Sequence, residues 1–289
     1  MPESRDEARL LRLATAAAVA TAVFLIAGKA AAWWWTGSVA VLASLLDSAM
    51  DLLASTINLV AVRYSLVPPD REHRFGHGKA EPLAGLAQAL FITGSAVFLI
   101  VHALARLAEP VPLEQVGAGA AVMAGAIAVT LILLAIQRHV IRRTGSTAVQ
   151  ADALHYRTDV LTNLGTLAAL GLAPLGWVRA DPVFGLIIGG YILFSAWRIG
   201  HQAFHLLMDR ELPEAVRHEI ERLALAGPGV RGIHDLRTCR SGRRRVVQLH
   251  LEMDGRLPLS ETHAAADAVA EAIRRRYPDA DVTIHQDPV

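Results

Sequence analysis

Six apolar stretches, each long enough to cross a bilayer as a helix, recur along the first 208 residues and are separated by short polar breaks. They run about 11–35, 38–64, 82–107, 113–140, 147–172 and 181–205. A chain patterned this way cannot pack as two soluble cores of average size, although 289 residues would be enough for them. The charge distribution agrees: of 55 Asp, Glu, Lys and Arg, 28 lie in residues 1–208 and 27 in the last 81. The first part is built for lipid and the second for water. The first stretch exceeds the apolar core of a signal peptide and ends in Trp33-Trp34-Trp35, residue types that favour the membrane interface, so it is expected to remain as a membrane helix.

Basic residues set the orientation. The N-terminus carries Arg5, Arg9 and Arg12; Arg63, Arg71, Arg74 and Lys79 flank the second break, and Arg138, Arg142 and Arg143 flank the fourth, while the alternate breaks are poor in base. By the positive-inside rule both termini are expected in the cytosol. The expected domains are therefore a transmembrane domain over 1–208 and a cytosolic domain over 209–289, in a multi-pass protein of the bacterial inner membrane. A net charge of +1 argues against nucleic acid as a partner, and the single Cys239 rules out an internal disulfide and a thiolate cluster. Any metal must be held by N and O ligands.

Ionisable side chains inside an apolar span cost several kcal/mol by most estimates and mark function by default. The second span carries Asp47 and Asp51, four residues apart and so on one helix face, within a stripe of Ser44, Ser48, Ser55 and Asn58. The fifth repeats the spacing with His155 and Asp159, flanked by Asp152, Tyr156, Asn163 and Thr166. Facing each other, the two stripes bring three carboxylates and one imidazole together with no Lys or Arg on the stripes to balance them. A divalent cation in a tetrahedral N/O site, as zinc accepts, resolves the repulsion. Small polar residues on the stripes read as helix-packing contacts. Lys29 in the first span is assigned no role, because a lone lysine can snorkel or pair.

The motifs Ser44-Leu45-Leu46-Asp47-Ser48-Ala49-Met50-Asp51 and Asp152-Ala153-Leu154-His155-Tyr156-Arg157-Thr158-Asp159, the stretch Arg74-Phe75-Gly76-His77-Gly78-Lys79-Ala80-Glu81, and the end Ile284-His285-Gln286-Asp287-Pro288 are similar to the cation diffusion facilitator family, in its bacterial zinc and ferrous-iron efflux branch. The resemblance runs from about Leu10 to the C-terminus. It implies a six-helix transporter with a metallochaperone-like cytosolic domain, working as a homodimer that exchanges cytosolic divalent metal for protons. It places the transport site at Asp47, Asp51, His155 and Asp159. Zinc-restricted relatives often have His where this chain has Asp47, which implies a wider cargo of Zn²⁺, Cd²⁺ and Fe²⁺.

In the second break, Asp70, His73 and His77 are spaced to surround one ion, with Glu72 and Glu81 as alternative ligands. The resemblance implies a second metal site there, and three protein ligands would leave one position open to water. In the tail, Pro213–Ala226 reads as a helix stopped by Gly227-Pro228-Gly229, Gly232–Arg240 and Arg244–Met253 as strands, Ser260 as the cap of a helix running through Tyr277, and Asp281–Gln286 as a last strand. The order α-β-β-α-β suggests an open ferredoxin-like sandwich. By the period of two, Val247, Leu249, Leu251 and Met253 face the core and His250 faces away. His234, His250, His263, His285 and Asp287 thus collect outside the core, where single histidines would mean little. The resemblance implies that they bind a pair of metal ions at a dimer interface, with the carboxylate able to bridge, and that Lys79 and Asp209 form a charge pair at the junction of the two parts.

Metal ligands must be deprotonated, so metal and protons compete for the same atoms, and His155 is the expected proton carrier, with the buried carboxylates able to share the task. No nucleotide-binding motif occurs, which leaves an ion gradient as the energy source. An intramembrane metallohydrolase would also place His and Asp on facing helices, but there is no His-Glu-x-x-His pattern and four ligands leave no position for a catalytic water. A passive channel is disfavoured, since a tight site binds too well for fast conduction.

Overall fold

The computed structural model describes residues 2–36, 39–108, 119–172, 177, 179–242 and 244–289. Their elements follow the order α1 (Pro2–Thr36), α2 (Val39–Ser65), α3 (Ala80–Ala108), α4 (Gly119–Thr144), α5 (Thr147–Leu172), α6 (Ala180–Leu207), α7 (Glu214–Leu225), β1 (Val230–Ser241), β2 (Arg244–Met253), α8 (Leu259–Arg276) and β3 (Ala280–Pro288). The chain divides into two compact units, one of Met1–Val67 with Ala80–Phe204, the other of Pro68–Lys79 with His205–Val289. The break between the second and third spans therefore packs with the tail.

In the helical unit the long apolar side chains point outward: Trp34 and Trp35 are more than 80% exposed, and Phe24, Phe98, Phe194 and Trp197 are also exposed. That arrangement suits a hydrocarbon solvent. The helices meet instead on small residues. Ala14, Ala18 and Ala22 of α1 are buried, and α3, α5 and α6 share a core of Ala89, Ile92, Ala96, Ala151, Leu154, Ile192 and Ala196. Gly189 lets α6 approach α3 so closely that a Cβ there would lie 2.6 Å from Ile100 Cγ1.

Among the described residues five helices, α1 to α4 and α6, are long and apolar enough to cross a membrane. The fifth expected span, α5, is equally long at 26 residues but carries Asp152, His155, Arg157 and Asp159. It is an inner helix, with Ala151–Leu154 and Tyr156 all buried. The expected start of the fourth span, 113–118, lies outside the described residues.

The tail unit is a three-stranded sheet of order β1-β2-β3 covered on one face by α7 and α8. β1 and β2 are an antiparallel hairpin, while β2 and β3 run parallel and are joined by the crossover helix α8. Val247, Leu249, Leu251 and Met253 pack against Ile220, Ala224, Ala265, Val269 and Ile273, as the alternation of β2 predicts. The start of α8 differs from expectation. Ser260 lies inside the helix, and Pro258, extended at φ −64° and ψ 149°, is the residue before it, with no side-chain cap. Pro258 O instead accepts the N–H groups of Glu261 and Thr262. Proline suits this edge because its fixed φ matches the helix entry. The helix ends at Arg276, with Tyr277 as its C-cap.

The 68–79 segment is fastened to the β1–β2 turn. Gly78 and Gly242 meet backbone to backbone, and a Cβ on Gly78 would lie 2.5 Å from Gly242 Cα. Gly242 also sits at φ +58°, where a side chain is strained.

Candidate metal centres

α2 and α5 present their ionisable residues to each other inside the helical unit. His155 Nε2 is 2.7 Å from Asp51 Oδ1, and Asp51, His155 and Asp159 each offer a ligand atom within 4.8 Å of the others. Asp51 is 6% exposed. Two carboxylates and an imidazole this close together could hold a cation between them. Asp47, one turn earlier on α2, is exposed and not part of this group. Lys29, given no role from the sequence, crosses from α1 to that turn and donates to Ser48 Oγ at 2.6 Å and to the carbonyl of Ser44 at 3.1 Å.

One turn along α5 from His155, the fully buried Asp152 ties three helices together. Its Oδ1 accepts from Ser55 Oγ of α2 at 3.2 Å and Gln88 Nε2 of α3 at 3.4 Å, and its Oδ2 from Gln137 Nε2 of α4 at 2.7 Å. Tyr156 OH lies 3.0 Å from Ser55 Oγ and donates to the Ala18 carbonyl of α1. The stripe pattern placed Asp152 and Tyr156 on this face, but nothing in the sequence names Gln88 and Gln137 as the partners of Asp152.

In the tail unit, Asp70, His73 and His77 converge as expected. Asp70 Oδ2 is 3.3 Å from His77 Nε2 and Oδ1 is 3.5 Å from His73 Nδ1, with the two rings 4.5 Å apart. The backbone N–H of His73, then that of Glu72, donates to Asp70 and holds its carboxyl below the usual range. Gly76, at φ +83°, turns the chain so that His77 comes back over Asp70. Lys79 Nζ is 2.8 Å from Asp209 Oδ2, both about half exposed.

On the open face of the sheet, Asp287 gathers three histidines. Its Oδ2 is 2.7 Å from His250 Nδ1 and 3.1 Å from His234 Nε2, while its Oδ1 is 3.2 Å from His285 Nε2. The two oxygens thus face different imidazoles. The His250 ring N–H holds the Asp287 carboxyl below its ordinary range. A β-bulge between His234 and Arg237, with Asp235 at φ 49°, brings His234 over His250, their rings 5.0 Å apart. His263 is not brought to this cluster within one chain. It lies on α8, in the layer on the other face of the sheet, 3.5 Å from Asp267 and largely exposed. Sequence alternation alone did not single out Glu252, 3.1 Å from His234 Nδ1, or Asp235, 3.9 Å from His250 Nε2.

Comparison with known proteins bears on the whole chain. The family model described as the cation efflux transmembrane domain matches residues 15–208, and the one described as the cation efflux protein, cytoplasmic domain, matches residues 212–289. The cation-efflux pump FieF of Klebsiella pneumoniae subsp. pneumoniae is 52% identical over 280 residues, covering 97% of this chain and 93% of that protein. FieF of Salmonella paratyphi A is similar to the same extent, 52% over 97% of this chain and 93% of its own. Among solved structures, CzrB in its zinc form is 31% identical over 28% of this chain and 93% of that one, with a TM-score of 0.26.

Proposed function

The chain belongs to the cation diffusion facilitator family and is a transporter for divalent-metal efflux; from that premise we propose that it exchanges cytosolic Zn²⁺, and also Cd²⁺ and Fe²⁺, for protons. The carrying observation is the Asp51–His155–Asp159 group, whose ligand atoms lie within 4.8 Å of one another inside the helical unit. Asp47, on the same face of α2, is the fourth ligand of the tetrahedral loaded state. The metal is cargo. It binds when these atoms are deprotonated and leaves when protons take its place, so one set of ligands couples the two gradients. α2 and α5 alternate between the two sides, with both termini and the tail in the cytosol of an inner-membrane protein.

The tail is a dimerisation domain that senses metal. His234, His250, His285 and Asp287 hold cations, with Asp287 between two of them, and His263 serves the same interface in the homodimer. Occupancy stabilises the dimer by ordinary linkage. Asp70, His73 and His77 form a further site, open to water, and Lys79 with Asp209 links the 68–79 segment to the start of the tail.

The test is zinc uptake into proteoliposomes carrying a zinc indicator and a pH probe. Wild-type protein is expected to take up zinc while moving protons the other way, and Asp51→Ala to lose both signals. Unchanged exchange by Asp51→Ala would overturn the site, and zinc movement without a pH change would overturn the antiport. Competition among Zn²⁺, Cd²⁺, Fe²⁺ and Mn²⁺ ranks the cargo.

A further inference from the structure

The open face of the tail sheet is organised in two rows. The register pairs His234 with His250 and His250 with His285, and, in the next row, Gly232 with Glu252 and Glu252 with Asp287. Glu252 thus stands between a residue with no side chain and the carboxylate that gathers the histidines. Its own carboxylate occupies the space above Gly232, where any Cβ would collide with Glu252 Oε2. From that seat Glu252 Oε1 lies 3.1 Å from His234 Nδ1, while Nε2 of the same ring lies 3.1 Å from Asp287 Oδ2.

Two ionised carboxylates, both acceptors only, therefore bracket one imidazole, and a neutral imidazole has a single N–H. With that proton on Nδ1, Glu252 is satisfied, and the Nε2 lone pair stands beside Asp287 Oδ2. A cation there takes the place of a proton: the Nε2 lone pair and Asp287 Oδ2 face each other, and His250 Nδ1, 2.7 Å from the same oxygen, joins them once its own proton is carried on Nε2. The other tautomer would turn an N–H toward the cation and leave Nδ1 and Glu252 as facing acceptors.

We propose that Glu252 is the positioning residue of the tail metal centre: it accepts the Nδ1–H of His234 and thereby presents the Nε2 lone pair to a cation held with His250 and Asp287. The proposal rests on the tail metal centre assigned above, and Gly232 belongs to the device because it makes room for the carboxylate.

The experiment measures Zn²⁺ affinity of the full-length protein in nanodiscs by chelator competition, with His250→Ala and Asp287→Ala marking the tail component, and the His234 tautomer by ¹⁵N NMR of histidine-labelled protein. Partners that orient metal-bound histidines are commonly worth about 10- to 100-fold in affinity, so Glu252→Ala is expected to lose about that much of the tail component. Glu252→Gln keeps an acceptor oxygen without the charge and is expected to recover most of the loss, with Nδ1 still protonated. Gly232→Ala, which displaces the carboxylate while leaving it in the chain, is expected to resemble Glu252→Ala. Wild-type affinity in Glu252→Ala would overturn the proposal. So would Glu252→Gln as weak as Glu252→Ala, which would make Glu252 a ligand or a bare charge. If His250→Ala and Asp287→Ala left zinc binding unchanged, the tail centre itself would fall, and the role of Glu252 with it.

Discussion

Asp152 offers a clean separation of hydrogen bonding from charge inside the helical unit. It is 1% exposed and accepts from Ser55, Gln88 and Gln137, three neutral donors on three different helices. Asp152→Ala strands all three. Interhelical hydrogen bonds in membranes average about 0.6 kcal/mol and reach about 1.7, so the loss should be about 2 kcal/mol and no more than about 5. Asp152→Asn should behave differently. Asn keeps the oxygen that Ser55 and Gln88 use, and its NH₂ replaces the oxygen facing Gln137. The Gln137 side-chain oxygen is buried without a hydrogen-bond partner. Turning that amide over pairs the new donor with the idle acceptor, so the cost should stay below about 1 kcal/mol. SDS-driven unfolding of the purified protein in mixed micelles reads the difference, and zinc uptake should persist in Asp152→Asn, because Asp152 is not among the proposed ligands. Equal destabilisation by Asn and Ala would refute the reasoning, since it would show that the charge matters and the acceptor geometry does not.

Lys79 and Asp209 pair at 2.8 Å but are about half exposed, so Lys79→Ala should shift the unfolding free energy by less than about 1 kcal/mol and the effect should fade in high salt. A larger loss of zinc exchange than of stability would assign the pair to transport, and the reversed pair Lys79→Asp with Asp209→Lys would restore it. The Asp254 carboxyl is held down to about 2 by the hydrogen bonds of Arg256, with Arg231 adding to them. A depressed carboxyl stabilises the fold above its unfolded value of about 4 and loses that contribution as pH falls toward 2. Acid titration of unfolding should therefore show a loss between about pH 4 and 2 that Arg256→Ala reduces, the backbone N–H of residue 256 and Arg231 remaining; an unchanged profile would sink the assignment.

The sequence makes the membrane centre legible because helix periodicity is rigid. Residues four apart share a face, so the sequence sets Asp47 and Asp51 against His155 and Asp159, and the structure brings Asp51, His155 and Asp159 together while Asp47, on the same face by that rule, stays exposed. Hydropathy, by contrast, is blind to the reason α5 is polar, since an inner helix is covered by other helices and has no need to be apolar all round. Periodicity also stops at the face. It cannot place Gln88 and Gln137 against Asp152, because those partners are 64 and 15 residues away and meet only through packing. The same boundary divides the tail. Alternation puts His250 outside the core, but strand register, set by the β1–β2 hairpin and the α8 crossover, decides that its neighbours are His234 and His285 and that Glu252 stands beside Asp287. One residue of slip in β3 would turn Asp287 to the other face, so a register-breaking insertion between Tyr277 and Ala280 should abolish the proposed tail zinc binding even though every proposed ligand is still present.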